Sequence, residues 1–335
     1  MRAVRPAAAL AAVMIVVIVV LGCFVPMLLK SPFYLGLLIN GIVLGVAAVG
    51  IGFLMHQCGL VMFGVAAFMG LPAYLLGIAS MRLGLGTSAA VLLALAGSTL
   101  FAAGVGALVV RARPLPFAML TLALAQMLRS VATLQAMRPL TSGEDGLAMT
   151  FNGTFLGLTQ AELAKPASFW PLAWLALCAV LLLAWAAGRS RFGQVLRATQ
   201  ANEERMRFSG FNTYLPRLAA FTLACFMVSI SGLLAALNSA FASPELLDFA
   251  TGGNALVAML VGGAATVGGP LLGALLYVWG QDAFGATGHH ELLTGVAVVF
   301  VIAAFPQGAM GFVRQSAARL FRRQAATPEP PDAAH

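Results

Sequence analysis

Proton relays and metal sites are built from carboxylates and histidines, and this sequence has only 11 of the former and 4 of the latter. Glu144, Asp145, Glu162, Glu203, Glu204, Glu245, Asp248, Asp282 and Glu291 fall in predicted loops or at predicted helix ends, and Glu329 and Asp332 fall in the C-terminal tail. An ionisable group inside a membrane is costly and so functional by default; a carboxylate at a span centre would mark an ion-coupled carrier. No span centre has one, which leaves no obvious proton or sodium relay. His289-His290-Glu291 has the composition of a metal cluster, but adjacent histidines do not share a helical face, and no metal is expected there. A P-loop needs glycines ahead of its lysine. Lys30 stands in LLKSP and Lys165 in LAKPA, so this chain cannot hold ATP by that route and no cofactor of its own is expected. Cys23, Cys58, Cys178 and Cys225 lie in apolar stretches without metal-type spacing and read as buried thiols. With no catalytic constellation, the chain does not read as an enzyme.

The chemistry that remains is charge. Gly188 to Arg217, GRSRFGQVLRATQANEERMRFSGFNTYLPR, is a hydrophilic island holding Arg189, Arg191, Arg197, Arg205, Arg207 and Arg217 beside Glu203 and Glu204. Phe192 to Phe208 is predicted as one short interfacial helix, with Arg197, Glu204 and Arg205 on neighbouring turns and Val195, Leu196 and Met206 as apolar contacts. Gly210 would stop it, and Asn212 and Pro216 would begin the next segment. Such a helix either inserts into a groove on a soluble subunit and transmits its movement, or lies on the membrane surface and only sets topology.

The elements around the island must be membrane spans. The sequence is 61% hydrophobic and 9% charged with a mean hydropathy of +0.94, whereas a soluble surface needs roughly a quarter or more of ionic residues. The net charge of +8 lies in short loops and flanks rather than along one stripe, so nucleic acid is not the expected partner. A spanning helix needs about 20 apolar residues. Cutting the sequence at charges, prolines and glycine clusters gives spans near 8–29, 33–54, 58–80, 83–110, 114–128, 168–187, 218–242, 252–266, 268–285 and 291–311. The first is read as a retained helix, because the uncharged run from Pro6 to Leu29 exceeds the ~7–15 residues of a signal peptide's apolar core. The fold class is therefore an all-α polytopic bundle of about ten spans, some short or broken.

Ten spans put both termini on one side. Arg2, Arg5, Arg111, Arg113, the island's six arginines, Arg314, Arg319, Arg322 and Arg323 fall on that side; Lys30, Arg82, Arg129, Arg138 and Lys165 fall on the other. The excess of positive charge places the termini and the island in the cytoplasm. The domain reading is a transmembrane domain over 1–323, containing a cytoplasmic loop at 188–217 and a periplasmic loop at 129–168, followed by a disordered cytoplasmic tail at 324–335. The periplasmic loop carries TSGEDG, Thr141 to Gly146, either a solvated connector or a contact for an external partner. Gly262, Gly263, Gly269 and Gly273 suit close backbone approach between helices. Asn40, Thr121, Gln126, Ser229, Asn238 and Asn254, the polar groups on apolar spans, are each a helix-packing hydrogen bond or a solute contact.

At this point the residues match a family. SRFGQVLRATQANEERMRFSGFNTYLPRLAAF resembles the cytoplasmic coupling segment of branched-chain amino acid ABC-importer permeases of the LivM type, a family shared with LivH-type and ribose-type permeases. Ser190, Gly193, Leu196, Arg197, Ala198, Asn202, Glu203, Gly210 and Asn212 stand at matching positions. Gly59 to Tyr74, Arg111 to Arg129, Thr141 to Leu147 and the glycine-rich Leu260 to Tyr277 resemble four further blocks of that family, in the same order. The chain departs from the pattern at Met62, Phe63 and Val65, where serine, leucine and histidine are usual, and at Pro72, Pro114, Pro116, Gln126, Arg205, Met206 and Arg207. These departures bear on the solute and on the matching ATPase.

The resemblance implies a permease subunit of an ATP-driven importer in the bacterial inner membrane. It would take up branched-chain or other small amino acids from a periplasmic substrate-binding protein, beside a second homologous permease and two cytoplasmic P-loop ATPases that hold the ATP. Arg197, Asn202, Glu203, Glu204 and Gly210 would couple it to those ATPases. The alternatives are a permease for urea, amides or another small solute, and an ion-coupled secondary transporter acting alone.

Overall fold

The computed structural model describes residues 31–264 and 266–285, together with residues 22, 25–28, 295, 296, 299, 308, 310 and 311. Helix α1, Pro32–Cys58, begins where Ser31 is extended and Pro32 supplies a preset φ at the first helical position. It ends at Gly59, whose φ of +67° lets its N–H return to the Met55 carbonyl. The predicted break near His56-Gln57 therefore falls slightly later, at a residue that tolerates the left-handed backbone. Helices α2, Val65–Met81, α3, Thr87–Val109, and α4, Pro114–Thr133, follow, and α5, Pro166–Arg189, leads into the charged island. Two short helices, α6, Arg191–Ala201, and α7, Glu203–Phe208, precede α8, Tyr214–Ser239. Helices α9, Phe249–Gly262, and α10, Gly269–Gly285, complete the described chain.

Five of these helices (α1, α3, α4, α5 and α8) are long and apolar enough to cross a membrane, and α2 and α9 are shorter apolar helices. Eight predicted spans correspond to described helices. The predicted spans 8–29 and 291–311, His289-His290-Glu291 and the tail 324–335 lie outside the described residues or almost wholly so. Span 114–128 is longer than predicted. Helix α4 runs on through Arg129, whose guanidinium reaches Asp248 at 3.4 Å, so this charge sits at the helix end with a partner instead of terminating it.

Helices α1, α2 and α8 form the centre. Helix α1 is apolar all round, as a helix surrounded by others must be; it packs on α5, α8, α9 and α10, while α8 packs also on α2 and α3. Phe221 of α8 meets Phe68 of α2 and Phe117 of α4 edge to face, both at 5.7 Å. Small residues set the helix separations, as expected where lipid removes the hydrophobic drive between helices. A Cβ on Gly232 would overlap the Met69 carbonyl, and one on Gly64 the Thr121 carbonyl. Gly262, Gly269 and Gly273 play the same part between α9 and α10, where any added Cβ would meet backbone.

A two-stranded antiparallel ribbon, unforeseen in the sequence, pairs β1, Leu147–Ala148, with β2, Phe241–Ala242. It ties the α4–α5 connection to the far end of α8.

Candidate coupling site

The segment between α5 and α8 is two helices rather than the single helix predicted over Phe192 to Phe208. The correction lies at Asn202, whose extended backbone (φ −161°, ψ 99°) breaks the run while its Oδ1 accepts from the Arg205 N–H at 2.9 Å and caps α7. Asparagine is among the best N-caps because its side-chain oxygen satisfies an otherwise unpaired N–H. Ser190 does the same for α6, accepting from the Gly193 N–H at 3.3 Å. Helix α7 ends in a paired turn: the Gly210 N–H donates to the Arg207 carbonyl at 2.9 Å and the Phe211 N–H to the Met206 carbonyl at 3.1 Å. That geometry needs a left-handed residue, and Gly210 supplies it at φ +80°.

Two fasteners hold the segment to the bundle. The Arg197 Nη1 donates to the Gln57 Oε1 at 2.9 Å and to the Gly188 carbonyl at 2.8 Å, joining α6 to the last turn of α1 and the end of α5. Glu203 is the second. Its carboxylate takes the Arg217 Nη1 at 2.7 Å and the Arg207 Nη2 at 3.0 Å, and also accepts from the Thr213 hydroxyl at 3.3 Å. The Arg217 side chain is only 13% exposed and that of Glu203 29%, so this pair is shielded more than an ordinary surface pair. Glu203 thus spends its charge inside the chain, whereas Arg197 donates to two neutral acceptors and makes no ion pair among the described residues. The surface open to a partner includes Arg191, Glu204 and Arg205, with Phe208 at 91% and Phe211 at 53% exposure. In the sequence Phe208 was read only as the end of the predicted helix, and Phe211 was passed over.

Beside α6 lies a cavity of about 360 Å³ between α1, α5, α6 and the α9–α10 turn. Gln57 and Arg197 are both on its wall, and so are Thr266 and Pro270 of the turn.

The six polar residues nominated along the spans do not gather at one place. Thr121 is buried in packing, donating to the Ala118 carbonyl at 2.9 Å and accepting from the Gly64 N–H at 3.4 Å. Asn254 accepts from the Tyr277 hydroxyl at 2.8 Å, and that hydroxyl accepts from Gln281 at 3.0 Å, a link between α9 and α10 that the sequence did not suggest. Asn40 lines a cavity of about 650 Å³ with Gln281 and Asp282 at the other end of the bundle. The Ser229 hydroxyl is buried without a hydrogen-bond partner among the described residues, and Gln126 and Asn238 are half-buried. Met62 and Val65, where the family resemblance led us to look for a pathway wall, are fully buried, with Met62 against Cys225 at 3.9 Å. Among the described residues no three His, Cys, Asp or Glu side chains come together as a metal site requires.

Helices of spanning length, apolar and packed through small residues, are those of an integral membrane protein. Residues 33–304 match the family described as "Branched-chain amino acid transport system / permease component", and the chain belongs to it. It is 31% identical over 108 residues to the autoinducer 2 import system permease protein LsrC of Yersinia pseudotuberculosis serotype O:1b (strain IP 31758), a match over 32% of this chain and 30% of that one. The same protein of Yersinia pestis (strain Pestoides F) is 30% identical over 108 residues, with the same coverage. The match thus spans less than a third of the length of these curated relatives. No solved structure matches.

Proposed function

We propose that this chain is the transmembrane permease subunit of an ATP-driven ABC importer in the bacterial inner membrane, with the segment 188–217 facing the cytoplasm. It works beside a second, related permease, two P-loop ATPases and a periplasmic substrate-binding protein. The observation that carries this reading is the α6–α7 segment, fastened to α1, α5 and α8 by Arg197 and Glu203 while Glu204, Phe208 and Phe211 stay exposed. A segment built only to set topology needs no internal clamp. Force applied to its exposed face by a closing ATPase would reach α1 through Gln57, biasing one of two arrangements of the bundle.

The solute is a small amino acid on this reading, in keeping with the family's description and with the LivM-type motifs. A second reading, autoinducer 2, is favoured by the aligned third of the chain, since the relatives there are named for that import. Uptake of labelled leucine and of autoinducer 2 in cells expressing the intact transporter separates the two.

The test is copurification followed by transport. The tagged chain in mild detergent should bring down P-loop ATPases and a second glycine-rich permease. Phe208→Asp and Glu204→Lys should insert and fold normally yet abolish uptake and release the ATPases. Normal uptake by both variants would sink the coupling role, and uptake that survives loss of the ATPases' ATP site would instead point to an ion-coupled carrier.

A further inference from the structure

The cavity beside α6 has a chemical character that the transport reading does not use. Two guanidiniums, Arg189 and Arg197, line it together with Gln194 and His56, and among the described residues no carboxylate does. Among the described residues neither arginine makes an ion pair. Both recorded hydrogen bonds of Arg197 run through Nη1, and guanidinium carries five N–H donors, so donors remain for a ligand. Arg189 lies over the Trp185 ring at 5.0 Å, which orients its plane without neutralising it. Val49, Phe53, Ala184 and Val267 add apolar surface to the lining. At about 360 Å³ the cavity falls within the ~300–1,000 Å³ of small-molecule pockets.

We propose that this cavity binds a phosphate group of an anionic ligand, held by Arg189 and Arg197. Two planar guanidiniums that line one cavity and make no ion pair among the described residues suit phosphate, which arginine holds by bidentate hydrogen bonds. The apolar lining and the exposed Trp185, an aromatic of the kind enriched at membrane interfaces, suit a phosphate carried on a glycerolipid of the adjacent leaflet. Free cytoplasmic phosphate is the other source of the same chemistry. Only the placement in the inner leaflet rests on the orientation proposed above; the site itself requires only the fold. Because Arg197 also fastens α6 to Gln57, an occupied cavity would stiffen the segment at its root.

The experiment uses the full-length protein, delipidated in neutral detergent. Native mass spectrometry and a fluorescence titration follow phosphatidylglycerol, phosphatidylcholine and inorganic phosphate. Phosphatidylglycerol should bind one per chain and outlast phosphatidylcholine, and Arg189→Gln should weaken it about tenfold. Gln194→Glu, which places a carboxylate in the cavity, should weaken it as much, so the result does not depend on one variant folding. Arg191→Gln, an exposed arginine outside the cavity, should leave binding unchanged. Competition by inorganic phosphate, or its binding in place of the lipid with the same sensitivity to both cavity variants, would identify free phosphate as the occupant. Absence of both ligands, or equal weakening by Arg191→Gln, would overturn the proposal. None of these readouts requires transport, so they stand whether or not the importer reading does.

Discussion

The two long connections that flank α5 are secured by different physics. Leu134 to Lys165, before the helix, is held mainly by neutral hydrogen bonds and burial. Thr141 donates to the Ala132 carbonyl at 2.7 Å, Gln160 bridges the Phe151 N–H at 2.9 Å and the Met149 carbonyl at 3.0 Å, and the ribbon pairs Leu147 with Ala242. Leu147, Met149, Phe151 and Leu163 are all buried beneath it. Ser190 to Thr213, after the helix, buries little beyond Gly193, Leu196, Thr199 and Thr213, and is held by Arg197 and the Glu203 clamp. A hydrogen-bonded, apolar connection makes a fixed cap. One fastened by a few charges can be released and closed again, and that is the property a coupling element needs.

The largest expected effect is at the clamp. Glu203→Lys sets a third positive charge against Arg207 and Arg217 and should cost about 1.5–3 kcal/mol locally, the usual worth of hydrogen bonds to a charged group. Amide exchange over 203–213 should rise more than tenfold and uptake should be lost, while exchange over 134–165 stays as it was. Next, Gly210→Val forces a β-branched side chain into the left-handed region, at about 1–2 kcal/mol, and should unravel α7 without disturbing α6 in the same exchange measurement. Gln57→Leu removes one of the two acceptors of Arg197 and should loosen α6 by about 1 kcal/mol, the net value of a single hydrogen bond. Salt should distinguish the two connections directly. Raising ionic strength from 0.05 to 1 M, where screening falls to about 3 Å, should speed exchange over 203–213 more than over 134–165, whose Arg138–Asp145 pair is already exposed to solvent.

The smallest effect belongs to pH. The Thr159 N–H and hydroxyl both donate to Glu162 at 2.8 Å and hold its carboxyl below the ordinary range. A depressed carboxyl stabilises above its unfolded value and loses that contribution as pH falls through the folded one. Gln160–Leu163 should therefore fray only in acid, below the pH at which an unperturbed glutamate titrates, as followed by exchange of the Leu163 amide; Glu162→Gln should abolish that dependence.

Much of this arrangement was legible in the sequence because its signals are local. Charges and glycines cut the apolar run into eight of the described helices, and the arginine count marked the island. Asn202 was noticed as a motif residue, yet its capping role was missed, because a cap and a mid-helix asparagine look alike until the backbone is seen. The β1–β2 ribbon joins pairs of residues 93 or more positions apart, and two-residue strands carry no alternation to detect. Arg197 and Glu203 were picked out as coupling charges; Arg217, the closest partner of Glu203, stood in the same island, whereas Gln57, which holds Arg197, lies on a distant helix that the sequence offered no reason to connect. The exposed Phe208 and Phe211 were hidden by the same limitation: side-chain exposure in a short loop is set by tertiary packing.

One consequence of the short helix α9 concerns the bilayer. Its 14 residues rise about 21 Å, against the roughly 30 Å of a hydrocarbon core. If Asp248, paired with Arg129, marks one interface, the end of α9 at Gly262 stops well short of the other. The last carbonyls of α9 then lie at a depth where lipid gives them no hydrogen bonds, and their partners must come from the protein or from water admitted through the neighbouring cavity. On that placement α9 is short for its bilayer, and acyl-chain length becomes a variable of the protein's working conditions.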